Sequence, residues 1–309
     1  MRNRWILGAV VVILWVTARV FGAEDTVYYS DRFVFLGKDV NQPVLALLKF
    51  DRGRDRGRYY GEFYGALYDQ GRWRYFEGND KYPYRPGDLQ TIQPSYYARA
   101  KGSVESGFRL RYDGGDATLN IASGPIQFLH VPNPGRTLTS TLGVAEALLA
   151  IRNQETWGDL FHEPLRWTGF NGLQRYAGLF KEYHRFYLIT ESGREMSFYH
   201  NNADRQAFLN RHHLTETFPT RGGVIQSGAI YPFAPQVLPM RNVRPGLAVY
   251  TVPDRWRVDA PPFGTLHLWA RDMGVRNWFF GGYYLMAIEG VFRYEGRDER
   301  VWGMAEYIP

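Results

Sequence analysis

The sequence predicts an all-β chain: two antiparallel barrels or sandwiches packed together, with one short central helix. Three observations predict it. Apolar and polar residues alternate with period 2 along most of the chain, the mark of half-buried strands. Turn signals recur about every 8–12 residues, the rhythm of an antiparallel meander. The aromatic load of 17% (22 Tyr, 20 Phe, 9 Trp) suits strands better than a helical bundle. With 309 residues, 45% hydrophobic and 22% charged, the chain can bury a core and corresponds to about two domains. That composition excludes disorder and collagen-like repeats.

The elements follow in order. Arg32 to Leu36 and Val44 to Phe50 are separated by GKDVNQP, and Tyr59 to Tyr68 and Arg72 to Glu77 by DQG. A Pro-rich connection covers Tyr82 to Pro94. Three short strands come next: Tyr97 to Val104, Gly107 to Asp113 and Ala117 to Ala122. The exception is Thr141 to Asn153, where Leu142, Ala145, Leu148 and Leu149 recur at helical spacing behind a Thr139 or Ser140 cap. The second half resumes with Tyr183 to Thr190 and Glu195 to Asn201, a hairpin with Ser192-Gly193 at its tip. A two-residue loop would set Phe186 against Tyr199 and Tyr187 against Phe198, and would send His184 and His200 to opposite faces. Both faces would then be aromatic, as in a sheet covered on both sides. Further strands are expected at Gly223 to Tyr231, Leu247 to Val252, Arg255 to Val258, Thr265 to Ala270, Tyr283 to Tyr294 and Val301 to Tyr307. The resulting division is 1–23 as a leading segment, 24–135 as a first β-domain, 136–156 as a helical connection and 157–309 as a second β-domain.

The leading segment reads MRNRWILGAVVVILWVTARVFGA. Arg2 and Arg4 precede an apolar run from Ile6 to Val16, and Arg19 cuts the run short of the ~20 residues a membrane span needs. This is the pattern of an export signal, or of an N-terminal anchor if it is not cleaved, and it points to a periplasmic or secreted protein. The chain has no Cys, so disulfides, thiolate metal ligands and a Cys nucleophile are excluded. The formal charge of +6 falls to near +3 without Arg2, Arg4 and Arg19, too little for a nucleic-acid footprint. The densest basic stretch, DRGRDRGRYY from Asp51 to Tyr60, reads as a solvated loop or as a contact with anionic headgroups at a membrane surface.

No phosphate loop, dinucleotide fingerprint, G-x-S-x-G or H-E-x-x-H motif is present. The seven His residues do not fall at metal-ligand spacings, so no metal and no cofactor is expected.

Several segments carry a resemblance. Trp256-Arg257-Val258 leads to Leu266-His267-Leu268, then to Ile288-Glu289-Gly290-Val291 and Tyr294-Glu295-Gly296, and the chain closes on Trp302-Gly303-Met304-Ala305-Glu306-Tyr307. With LITESGREMSFYH and SVESGFRLRYDGGDATLNIASGPI, this order resembles the duplicated lipocalin-like (calycin-type) family of hydroxyneurosporene synthase (carotenoid 1,2-hydratase) and the AttH-like secreted proteins. The likeness spans roughly 27–309. It implies two lipocalin-like barrels, and Glu289-Gly290 and Glu306 match the acids of the family's last two strands. The stretch TGFNGLQRYAGLFKEYH holds Asn171-Gly172 and Tyr176 where the family carries a Trp-Gly motif.

Hydration or cyclisation of an isoprenoid double bond needs a carboxylic acid in an apolar pocket and aromatic faces to stabilise a carbocation. Glu289 and Glu306 lie in apolar strands and are the candidate acids, unless they point outward or pair with Arg. His184 is a candidate proton relay. Tyr176, Phe186, Tyr199, Tyr231, Trp256 and Tyr283 are candidate ligand contacts, or packing between two barrels. The first functional expectation is an exported protein that binds a hydrophobic small molecule or lipid. The second is a cofactor-free hydratase or cyclase of the carotenoid 1,2-hydratase type, a lyase. The missing Trp-Gly motif favours the first. A structural envelope module with filled barrels is a third.

Overall fold

The computed structural model describes residues 27–55, 58–78, 97–114, 117–131, 138–168, 183–201, 221–245, 250–276 and 283–309. Every regular element among them is a strand. The first sheet holds β1 (Val27–Gly37), β2 (Leu45–Asp55), β3 (Arg58–Asp69), β4 (Arg72–Gly78), β5 (Ala98–Ser103), β6 (Gly107–Asp113), β7 (Thr118–Ser123), β8 (Gln127–Val131), β9 (Leu138–Ile151) and β10 (Gln154–Thr168). Its order is β4-β3-β2-β1-β10-β9-β7-β6-β5, with β8 also on β9. The second holds β11 (Tyr183–Thr190), β12 (Glu195–Asn201), β13 (Arg221–Gln226), β14 (Ala229–Phe233), β15 (Gln236–Val243), β16 (Val252–Ala260), β17 (Gly264–Arg276), β18 (Tyr283–Tyr294) and β19 (Arg297–Ile308). Its order is β14-β13-β12-β11-β19-β18-β17-β16-β15.

Each sheet curls until distant strands meet across its interior. In the first, Phe76 of β4 stacks on Tyr112 of β6 at 4.3 Å, and Phe63 of β3 on the same ring at 5.6 Å. In the second, Phe186 of β11 meets Trp256 of β16 edge-on at 5.6 Å. The alternation of each strand then has two destinations. On β1, Phe33 and Phe35 fill the first barrel, while Val34 and Leu36 pack against the second. Strands covered on both sides need apolar residues at successive positions.

That double burial overturns the expected helix. Thr141 to Asn153 is β9 and the turn after it. Ala145, Ala147, Leu149 and Ile151 point into the first barrel, and Leu142 and Val144 point to the interface. Apolar residues drawn from two opposite faces mimic a helical period. Three strands lie where none was expected: β8, β10 and β15. Gly223 to Tyr231 is not one strand but parts of two, broken by a turn with Ser227 and Gly228 at positive φ. The Pro-rich Tyr82 to Pro94 connection lies outside the described residues, as do residues 247–249 of the strand expected from Leu247 to Val252; Val252 opens β16.

The β11–β12 hairpin is one residue out of the expected register. Gly193 N donates to Thr190 O and Thr190 N to Arg194 O, both at 2.9 Å, with Gly193 at φ +80°. This is a three-residue loop closed by a glycine bulge. Phe186 therefore faces Phe198, Tyr187 faces Ser197, and His184 faces His200 on one face. A slip of one residue exchanges the two faces of a strand.

The two sheets repeat one plan. β1 joins β10 as β11 joins β19, and Arg32 opposite Glu163 recurs as Arg185 opposite Glu306. Phe33 and Phe186 follow these arginines, both aimed into their barrels. The long β17 crosses β18 with a bulge between Ala270 and Asp272, whereas β7 and β8 cover β9 in two pieces. The chain is thus built of two structurally equivalent halves.

Candidate functional site between the two barrels

The apolar outer walls of the halves meet over Leu36, Leu47, Val144 and Phe161 on one side and Ile189, Leu285, Trp302 and Met304 on the other. Trp302 Nε1 crosses the boundary to donate to Gly37 O at 2.9 Å. At one end this wall turns polar, because each half contributes its cross-strand Arg and Glu. Arg32 Nη1 lies 3.4 Å from Glu163 Oε2 and 3.5 Å from Glu306 Oε2. Arg185 Nη2 reaches across to Glu163 Oε2 at 3.3 Å, and Tyr187 donates its hydroxyl to the same oxygen at 2.8 Å. The Arg185 guanidinium lies over the rings of Tyr187 (4.9 Å) and Tyr199 (5.4 Å).

Equivalent glutamates thus sit in unequal surroundings. Burial pushes Glu163 up, but Arg185, Arg32 and the Tyr187 hydrogen bond outweigh it and hold this carboxyl below the usual range. Glu306 is wholly buried, and Arg32 is the only cation within ion-pair distance of it among the described residues. Burial, then the neighbouring Glu306, drives the Tyr283 hydroxyl well above its ordinary value. Tyr187 is raised likewise, by burial first and with Arg185 opposing.

The structure thus gathers Glu306, Tyr283 and Tyr199 at this site. It separates the other expected residues from it. Glu289 lies midway along β18 with a partly exposed side chain, accepts from Trp269 Nε1 at 3.0 Å and has Arg271 at 3.7 Å, so it is a surface acid and not a pocket acid. His184, Phe186 and Trp256 line the second barrel. There Trp256 Nε1 donates to His184 Nδ1 at 3.3 Å. Burial and the nearby His200 push His184 down to about 3, so it is neutral, with its own proton on Nε2. Tyr231 is 44% exposed on β14, with its ring 5.9 Å from Phe263. Tyr176 lies outside the described residues. Among the described residues no three His, Asp or Glu side chains converge as a metal would require.

A second polar group escaped the sequence reading. Asp31 accepts from Arg52 Nη2 on one oxygen and bonds His162 Nε2 at 2.8 Å on the other, all inside the first barrel. His162 stacks on Phe33 at 4.4 Å. Tyr29 stands between Arg52 and Arg166, whose guanidinium groups lie 5.8 and 5.2 Å from its ring. Residues 51–55, part of the stretch read as a solvated loop, are strand, and Arg52 is interior. The signal was the unbroken alternation Ala46, Leu48, Phe50, Arg52, continued by a charge.

At the opposite end of the boundary, Asp159 of β10 and Glu195 of β12 face a single amine, Lys38, whose Nζ is 3.6 Å from Asp159 and 2.9 Å from Glu146. Burial raises Asp159; burial and then Asp159 push Glu195 up to about 7. A carboxyl whose folded value is raised stabilises most below its unfolded value, near 4.5, and loses that contribution as pH rises through about 7. Glu195→Gln should flatten this decline and raise stability at pH 8 by about 1 kcal/mol, after allowance for solvent screening of a partly exposed group. Urea midpoints at pH 5 and pH 8 test this; parallel pH profiles for the two proteins would contradict it.

Neither a protein-family model nor a curated protein sequence matches the chain. Solved structures do. Kievitone hydratase from Nectria haematococca matches 93% of this chain and 92% of its own, at TM-score 0.60 and 11% identity. A putative AttH protein from Nitrosomonas europaea matches 92% of each chain at TM-score 0.59 and 12% identity. CghA, solved with Sch210972, matches 92% of this chain and 88% of its own at TM-score 0.53 and 10% identity. At such identities the likeness establishes the fold alone: a duplicated lipocalin-like architecture of two packed antiparallel barrels.

Proposed function

We propose that the chain is a cofactor-free lyase of the hydratase or cyclase kind, acting on an unsaturated, largely apolar small molecule at the polar end of the inter-barrel wall. The observation that carries this reading is the asymmetry of the duplicated glutamates. Glu163 gathers two arginines and a tyrosine hydroxyl, whereas the wholly buried Glu306 has, among the described residues, Arg32 alone within ion-pair distance. Equivalent carboxyls in contrasting environments divide acid and charge-stabilising roles. In this reading the Glu306 carboxyl gives its proton to one alkene carbon, and Glu163 and the faces of Tyr199 and Tyr283 stabilise the cation on the other. Water then adds to the cationic carbon, and the proton it sheds returns to Glu306, so the net change is one water across one double bond. The hydratase name of one structural neighbour agrees with this chemistry. The export-like leading segment supports action outside the cytoplasm.

The test is incubation with an acyclic carotenoid or a prenylated phenol in ¹⁸O-labelled water, read by mass spectrometry. The wild type should yield a product carrying one labelled oxygen. Glu306→Gln should lower the rate about 10²–10⁴-fold while retaining ligand-induced quenching of tryptophan fluorescence. Quenching without label incorporation in the wild type would instead establish the carrier reading, an apolar-ligand binder. The aromatic linings of both barrels favour that second reading, among them the Phe63–Tyr112–Phe76 stack.

A further inference from the structure

Strand order leaves β15 at an edge of the second sheet, and six of its eight residues are exposed. Leu238 and Met240 are each 59% exposed. A bare apolar edge invites another strand, yet Pro239 has no N–H to offer and the register breaks between Pro239 and Arg241. The edge is therefore blunted against strand addition while its apolar side chains stay in water. Basic residues surround them. Leu238 pairs with Arg257 across the ladder, and Arg255 pairs with both Arg241 and the 37% exposed Trp269. Arg241 has Asp254 at 3.7 Å and Arg257 has Asp259 at 3.1 Å. Among the described residues no carboxylate lies within ion-pair distance of Arg244 or Arg255, so the face carries surplus positive charge.

We propose that the outer face of β15–β17 docks on an anionic lipid surface. Leu238 and Met240 enter the headgroup region, Trp269 lies at its boundary, and Arg244 and Arg255 meet lipid phosphates. The alternation of exposed apolar and unpaired basic groups is the chemistry such a surface selects. This does not rest on the proposed reaction, and the residues are separate from the inter-barrel site.

The test is co-sedimentation of the full chain with phosphatidylcholine vesicles, with and without phosphatidylglycerol. The wild type should partition preferentially onto the phosphatidylglycerol vesicles, less so as salt rises. The double variant Arg244→Gln/Arg255→Gln should weaken that partition roughly tenfold to thirtyfold, at about 1 kcal/mol per charge. Leu238→Asn/Met240→Asn should weaken it on both vesicle types. Equal partition of the wild type and both variants overturns the proposal, since the leading segment is common to all three. A dimer in sedimentation velocity that is lost in Leu238→Asn/Met240→Asn, without lipid preference, also overturns it in favour of a second copy of the chain.

Discussion

An Asp31→Ala protein should lose about 3–5 kcal/mol of unfolding free energy, because the change takes from two buried donors the carboxylate they share. Arg52 and His162 are both almost wholly buried, and both bond the Asp31 carboxylate. The pair itself contributes modestly; removing one member is what costs, since Arg52 keeps its desolvation penalty and loses the counter-charge of Asp31. Glu146→Ala is the matched control. Its bond to Lys38 is also short, at 2.9 Å, but the two side chains are 75% and 47% exposed. Its loss should change stability by no more than about 0.5–1 kcal/mol. Urea unfolding followed by tryptophan fluorescence measures both. Similar costs for the two variants would mean that the Asp31 cluster is solvated.

Trp256→Ala should cost about as much, roughly 3–5 kcal/mol, for a different reason. Trp256 is 1% exposed and packs edge-on against Phe186, so truncation leaves a cavity in the second barrel. It also removes the N–H that His184 accepts. A neutral buried His184, down to about 3, contributes stability that is present above pH ~6.5 and is lost as pH falls toward 3. Water entering the cavity should lift the His184 titration, visible in imidazole NMR shifts. Trp256→Phe separates the effects: it fills most of the volume and lacks the donor. A variant that unfolds at the wild-type urea midpoint, with His184 still titrating near 3, would refute the packing argument.

The β-architecture was legible because alternation and turn chemistry are local. Tyr283 to Tyr294 and Val301 to Tyr307 read as strands and are β18 and part of β19. What was not legible depends on what lies on each side of a strand. Thr141 to Asn153 carries core residues on both faces, and periodicity alone cannot tell that from a helix. The β11–β12 loop could close on two residues or three, and only the backbone bonds of Thr190 and Gly193 decide which. That one residue determined whether His184 and His200 share a face. Glu306 and Tyr283 were recognisable as an acid and an aromatic in apolar strands. Arg32, which pairs with Glu306, and Glu163, which shares that arginine, come from the other half of the chain, at separations no local pattern encodes. Arg52 was hidden by its glycine-rich, charge-rich neighbours, although its spacing from Phe50 and Leu48 marked it as interior.

The matching walls of the two halves constrain what a fragment of this polypeptide can do. A piece ending at Thr168 would present Leu36, Leu47, Val144 and Phe161 to water, together with an Arg32–Glu163 pair stripped of its counterparts. Since the missing wall is built on the same strand plan, two such pieces are expected to recruit each other as a twofold homodimer, or to precipitate. Separate folding of the halves and solubility of each are therefore different properties of this chain.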